Sequence, residues 1–182
     1  MNRPLIAIGG LTAAALLAVG MTIGGFNRAA AQPDDYGAIL VSPNVITDSN
    51  AYTAGPLTSN PNGQPGVTTV YTHRDNTRQI TNTLLVLPDP QAATAAITEI
   101  QGSLGDRVSN GKSQPAAVGT GGTVITGTSP DGTKSVSVLL FTEGNAAASI
   151  EFEGPAKDSV PLDMVTDYGQ KQDTAIKDSL TA

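Results

Sequence analysis

The chain has 182 residues, no cysteine and a net charge of −6, from 16 acidic against 10 basic side chains. That length suffices for one domain with a real core, and the lack of cysteine excludes disulfides, thiolate metal ligands, a thiol nucleophile and a lipidated N-terminus. A negative surface repels phosphate backbones and anionic lipid headgroups, so nucleic acid is a poor candidate partner.

The first residues read as a targeting segment. Arg3 is followed by an uncharged stretch of apolar and small residues from Leu5 to Ile23, and then by Ala29-Ala30-Ala31, which fits a small-x-small cleavage site. Cleavage there leaves a chain beginning at Gln32, and losing Arg3 and Arg28 takes the charge two lower, to −8. The alternative is membrane attachment through Leu5 to Ile23, whose 19 residues reach the lower limit for spanning a bilayer. On either reading the remainder is extracytoplasmic.

Residues 32–66 read as an irregular N-terminal segment. Ser42-Pro43 offers a cap and a first-turn proline for a short helical turn. Ala54 to Gly66 then holds so many glycines and prolines that no regular element is expected; it is a surface loop or, alternatively, a binding lid. Residues 67–182 read as the folded domain. Val67 to His73 and Arg78 to Leu87 are rich in Thr, Val, Ile and Leu and predict two strands around the turn Arg74-Asp75-Asn76-Thr77. The run Leu84-Leu85-Val86-Leu87 is apolar on both faces, which places the second strand inside a sheet. A helix comes next, capped by Asp89 with Pro90 at its first position, and Ala93, Ala96, Ile97, Ile100 and Leu104 form its apolar stripe. Asp106 to Pro115 is polar and expected to be a loop, and Gly119-Thr120-Gly121-Gly122 a flexible entry to the hairpins.

Thr123 to Glu153 predicts three strands joined by Pro130-Asp131-Gly132-Thr133 and Glu143-Gly144-Asn145. Alternation assigns Val138, Leu140, Ile150 and Phe152 to the inner face and Ser149, Glu151 and Glu153 to the wet one. A second amphipathic helix runs from about Pro161 to Leu180, with Gly169 weakening its middle. The fold class is therefore α+β: a largely antiparallel sheet of about five strands, in the order β-β-α-β-β-β-α, with both helices on one side.

The motifs Arg78-Gln79-Ile80-Thr81-Asn82-Thr83, Asp89-Pro90-Gln91-Ala92-Ala93, Val118-Gly119 and Phe141-Thr142-Glu143-Gly144-Asn145, in that order, resemble small exported proteins of mycobacteria and their relatives. In outline the chain is similar to extracellular sensor domains of actinobacterial Ser/Thr kinases and, more loosely, to PsbP/Mog1-like lipoproteins. The resemblance spans about residues 67–180 and implies an envelope-facing domain of binding or accessory type. The chain departs from the kinase domains in lacking their disulfide cysteines and tryptophan, and from the lipoproteins in lacking the lipidated cysteine.

No residue is assigned to catalysis, a cofactor or a metal. His73-Arg74-Asp75 matches three letters of a kinase catalytic loop, but Ile80 stands where the metal-binding Asn belongs, so His73 reads as a strand-end surface residue. Gly119 to Gly122 lacks the third spaced glycine of a dinucleotide loop and the Lys-Ser/Thr of a P-loop. Asp48-Ser49-Asn50 opens like a calcium loop that Tyr52 and Thr53 then spoil. Glu151 and Glu153 share one strand face and read as solvated charge, with an acid/base pair as the competing role. The functional expectation is a non-catalytic cell-envelope domain that binds a protein partner or a small apolar ligand. The alternatives are a membrane-anchored accessory subunit of an envelope complex and, last, a carboxylate-dependent hydrolase.

Overall fold

The computed structural model describes residues 33–180, so both Leu5 to Ile23 and the Ala29-Ala30-Ala31 site lie outside the described residues. Two short 3-10 turns, Pro33–Ile39 and Pro43–Val45, lead into β1 (Tyr52–Ala54), β2 (Thr58–Ser59), β3 (Gly66–His73) and β4 (Gln79–Val86). Helix α1 (Pro90–Ser103) comes next, then β5 (Ser109–Pro115), β6 (Thr120–Thr128), β7 (Lys134–Glu143), β8 (Ala146–Pro155) and α2 (Leu162–Leu180). The strands form one antiparallel sheet in the order β1-β3-β4-β8-β7-β6-β5, with β2 also paired to β3.

This corrects the expected sheet of about five strands and its order. Among the described residues there are eight strands, four before α1 and four between the helices. The three that sequence reading missed carry no apolar alternation. β1 and β2 are only 3 and 2 residues long and owe their conformation to pairing with β3. β5, Ser-Asn-Gly-Lys-Ser-Gln-Pro, is a polar strand at the edge of the sheet, mostly exposed, and a lysine on an edge also discourages pairing with another chain.

The placement of the helices is a second correction. β7 and β8 are joined by the two-residue turn Gly144-Asn145, with Glu143 opposite Ala146, so Leu139 faces Ile150 while Val138 faces Glu151 and Leu140 faces Ser149. Residues directly opposite in an antiparallel pair project to the same face. Val138 and Leu140 therefore lie on one face of the sheet, and Ile150 and Phe152 on the other. Both faces are covered. On the first, Ile97, Ile100 and Leu104 pack with Ile125, Val136, Val138 and Leu140, beside Ala93, Ala96, Leu85 and Ala147. On the second, Val165, Tyr168 and Ile176 of α2 pack with Leu84, Leu139, Phe141, Ile150 and Phe152, and Tyr36 and Ile39 from the N-terminal segment join them. β7 is consequently buried on both sides, which explains its unbroken run Val138-Leu139-Leu140-Phe141, every member 0 % exposed.

The helices begin and approach for local reasons. Asp89 Oδ1 accepts the Ala92 N–H at 2.8 Å, with Pro90 opening α1. In α2, Gly169 is a contact point rather than a defect: a Cβ there would stand 2.3 Å from Leu139 Cδ2 and 3.2 Å from the Val118 methyls. Leu139 is fully buried and has no solvent to swing into. Helix propensity alone favours Gly169→Ala by about 1 kcal/mol, whereas overpacking a dense core costs about 1–3 kcal/mol. We expect the variant to lose about 1 kcal/mol net, seen as a lower urea midpoint at unchanged slope; a higher midpoint would show that α2 has room to shift.

Candidate functional site

α2 begins at Leu162, and beside its first turn lies an open cleft of about 420 Å³ on the same sheet face. Its floor comes from the sheet: Ile80 on β4 lies opposite Phe152 on β8, both nearly fully buried. Val160, Pro161 and Met164 form one wall, and Pro43, Ile46, Ala51 and Tyr52 the other. The Tyr52 ring stands edge-on to the His73 ring at 5.1 Å, and burial raises the Tyr52 hydroxyl above its ordinary pKa. A concave, mainly apolar space with a few polar groups at its margin is the usual make-up of a small-molecule site.

The polar groups of the lining are His73, Arg74, Arg78, Thr47, Asp48 and Asp158. Each arginine holds an aspartate from a different loop. Arg74 Nη1 donates to Asp48 Oδ2 at 2.9 Å, and both side chains are exposed. Arg78 donates through Nη2 to Asp158 Oδ2 and through Nη1 to the Asp158 backbone carbonyl at 3.2 Å; its own side chain is only 23 % exposed, against 66 % for Asp158. His73 Nδ1 lies 2.6 Å from Asp75 Oδ1, and that carboxyl is held well below the carboxylate range, first by the Thr77 backbone N–H and then by His73.

Behind the cleft, a buried polar network ties the N-terminal segment to the sheet and α2. Gln172 on α2 is 0 % exposed; its Oε1 accepts from the Val41 N–H at 3.0 Å and from Asn82 Nδ2 at 2.7 Å, and its Nε2 donates to the Ile39 carbonyl at 2.8 Å. The Tyr168 hydroxyl donates to the Val41 carbonyl and accepts from Asn82 Nδ2 at 3.0 Å, and burial raises its pKa. These bonds satisfy backbone groups of Ile39 and Val41, in a strap that closes the turn Pro33–Ile39 and has no strand partner to do so.

The residues singled out from the sequence fare unequally. His73 ends β3 as expected, and it lines the cleft rather than standing free. The Asp48 carboxylate is engaged by the Asn50 N–H at 3.3 Å and by Arg74, which together lower its pKa. Gly119 is packed rather than loose, since a Cβ there would lie 2.6 Å from Phe141 Cδ2. Glu151 is a departure from the solvated reading. Its side chain is 15 % exposed and pairs with Arg107 at 2.6 Å, and burial raises its pKa more than Arg107 lowers it. Glu153 pairs separately with Lys134 at 2.7 Å, so the two carboxylates are committed to different cations. Near Arg107 a second cavity, of about 540 Å³, lies between α1, the sheet and the turn Pro61–Gly63; part of the glycine-proline loop thus walls a cavity, although not the cleft. Among the described residues no three His, Asp or Glu side chains converge to hold a metal, and no helix is long and apolar enough to cross a membrane.

Arg78, Asp158 and the floor pair Ile80 and Phe152 were not singled out as a site. They lie up to 80 residues apart, and only the β4–β8 register joins them. The one local hint was the cationic pair Arg74 and Arg78 flanking a turn in an acidic chain.

No protein-family profile matches the sequence, and no curated protein matches it. In structure the chain is similar to the extracellular domain of PknH from Mycobacterium tuberculosis, with a TM-score of 0.57 at 9 % identity, covering 80 % of this chain and 97 % of that one. At that identity the likeness is one of fold. The resemblance to kinase extracellular domains read from the sequence is met to that extent.

Proposed function

We propose that the chain is an extracytoplasmic, non-catalytic domain that holds a small apolar ligand in the cleft beside the start of α2. The observation that carries this is the apolar lining itself: a volume of about 420 Å³ is lined by Ile80 and Phe152 of the sheet and by Val160, Met164 and Ile46. A space of that size falls in the usual range for small-molecule sites. The fold shared with an extracellular domain supports the location outside the cytoplasm. The ion pairs that engage Glu151 and Glu153 support a binding role over hydrolysis.

The test is binding of dodecanol to the full chain by calorimetry, against Met164→Trp. Met164 is half-buried on the cleft wall, so a tryptophan can fill the cleft without entering the core. Saturable binding that the substitution weakens at least tenfold is expected; binding unaffected by it, or none at all, rejects the cleft as the site.

A further inference from the structure

We infer that the cleft's ligand is an amphipathic acid, a single apolar chain ending in a carboxylate or a phosphate monoester, and that Asp158 occupies the place its head group takes at Arg78. The inference rests on the cleft being a binding site and adds the chemistry of what it binds. Three features point to it. Arg78 lines the cleft beside the apolar floor, next but one in sequence to Ile80, and its side chain is largely buried while its carboxylate partner is mostly in water. Asp158 belongs to the short segment between β8 and α2, outside both elements, and meets Arg78 with a single side-chain oxygen. A guanidinium offers five N–H donors in a planar fork, of which Asp158 meets Nη2 with a carboxylate oxygen and Nη1 only with its neutral backbone carbonyl; a head group that brings a charged oxygen to each makes a stronger partner.

An aspartate tethered over the arginine then acts as an internal competitor. In the unliganded protein it keeps the guanidinium paired; when the acid enters, the head group takes Arg78 and Asp158 turns to solvent, where most of its side chain already lies. An uncharged ligand of the same length gains nothing from Arg78.

The experiment measures dodecanoate, dodecyl phosphate and dodecanol binding to the full chain and to Asp158→Asn and Arg78→Gln. Dodecanoate or dodecyl phosphate is expected to bind at least tenfold tighter than dodecanol, and the stronger of the two identifies the head group. Asp158→Asn should raise acid affinity about threefold to tenfold and leave dodecanol within twofold. Arg78→Gln should remove the preference for acid while keeping dodecanol affinity. If dodecanol binds as tightly as both acids and Asp158→Asn changes nothing, the acid assignment fails and the apolar cleft stands. If no compound binds, the cleft reading fails and this inference with it. Asp158 is exposed, so its variant reports even if Arg78→Gln does not fold.

Discussion

Replacing Gly66 by alanine is expected to cost about 3 kcal/mol or more, the largest single-residue effect we foresee from so small a change. Gly66 opens β3 opposite Leu85 with a φ of 153°, a region that residues with a Cβ rarely enter at a cost of about 1–3 kcal/mol. The added carbon would also stand 2.2 Å from the Leu84 carbonyl oxygen and 2.9 Å from Leu85 Cα. Both are backbone atoms of β4, which is pinned on its other side by β8, so neither can yield without breaking the ladder. Gly63→Ala supplies the control, since Gly63 has a φ of 76° but nothing within 4 Å of its Cβ position. We expect that variant to lose only about 1 kcal/mol, from the backbone term alone. Urea midpoints of the two variants would separate steric from conformational cost; equal losses would rule out the Leu84 clash.

The second large effect is expected at Gln172. Gln172→Ala deprives the Val41 N–H and the Ile39 carbonyl of their partners, removes one of two acceptors from Asn82 Nδ2, and leaves a void in a wholly buried site. A buried polar group left unpaired costs about 1–3 kcal/mol and the cavity adds to it, so a loss of about 3–4 kcal/mol is expected. The damage should be local before it is global. Tyr36 and Ile39 are held against the sheet by the strap that Gln172 fastens, so amide exchange over residues 36–46 should accelerate far more than in β7. Uniform acceleration across the sheet would mean that the network is part of the global core and not a fastening for the strap. Because residues 43–52 wall the cleft, the same variant should bind dodecanol less well than its loss of stability alone accounts for.

Both residues take their roles from partners distant in sequence. Gly66 closes the glycine-proline stretch and looked like one more breaker, yet it is the first residue of a ladder; the difference lies in Leu84 O, which only pairing brings near. Gln172 falls on the apolar side of the second helix by its spacing, and its partners Val41, Ile39 and Asn82 all come from other elements far away in sequence. Gly169 changed meaning in the same way, from a weak point to a seat for Leu139.

What the residues determined by themselves was local. The cap Asp89-Pro90, the 3.6-residue stripe of α1, the tight turns at Asp131-Gly132 and Gly144-Asn145, and the two-faced apolar run at Leu84 all arise from neighbours in sequence. Tertiary structure alone decided the polar and very short strands, because β1, β2 and β5 are held by hydrogen bonds to a neighbour and not by any pattern of their own. It also decided which face each strand residue occupies. Alternation says that Val138 and Leu140 agree with each other, and that Ile150 and Phe152 agree, but the relation between the two pairs depends on one residue of register at the Gly144-Asn145 turn. That register sends α1 and α2 to opposite faces, and it sets Ile80 against Phe152 beside the first turn of α2, where the cleft opens.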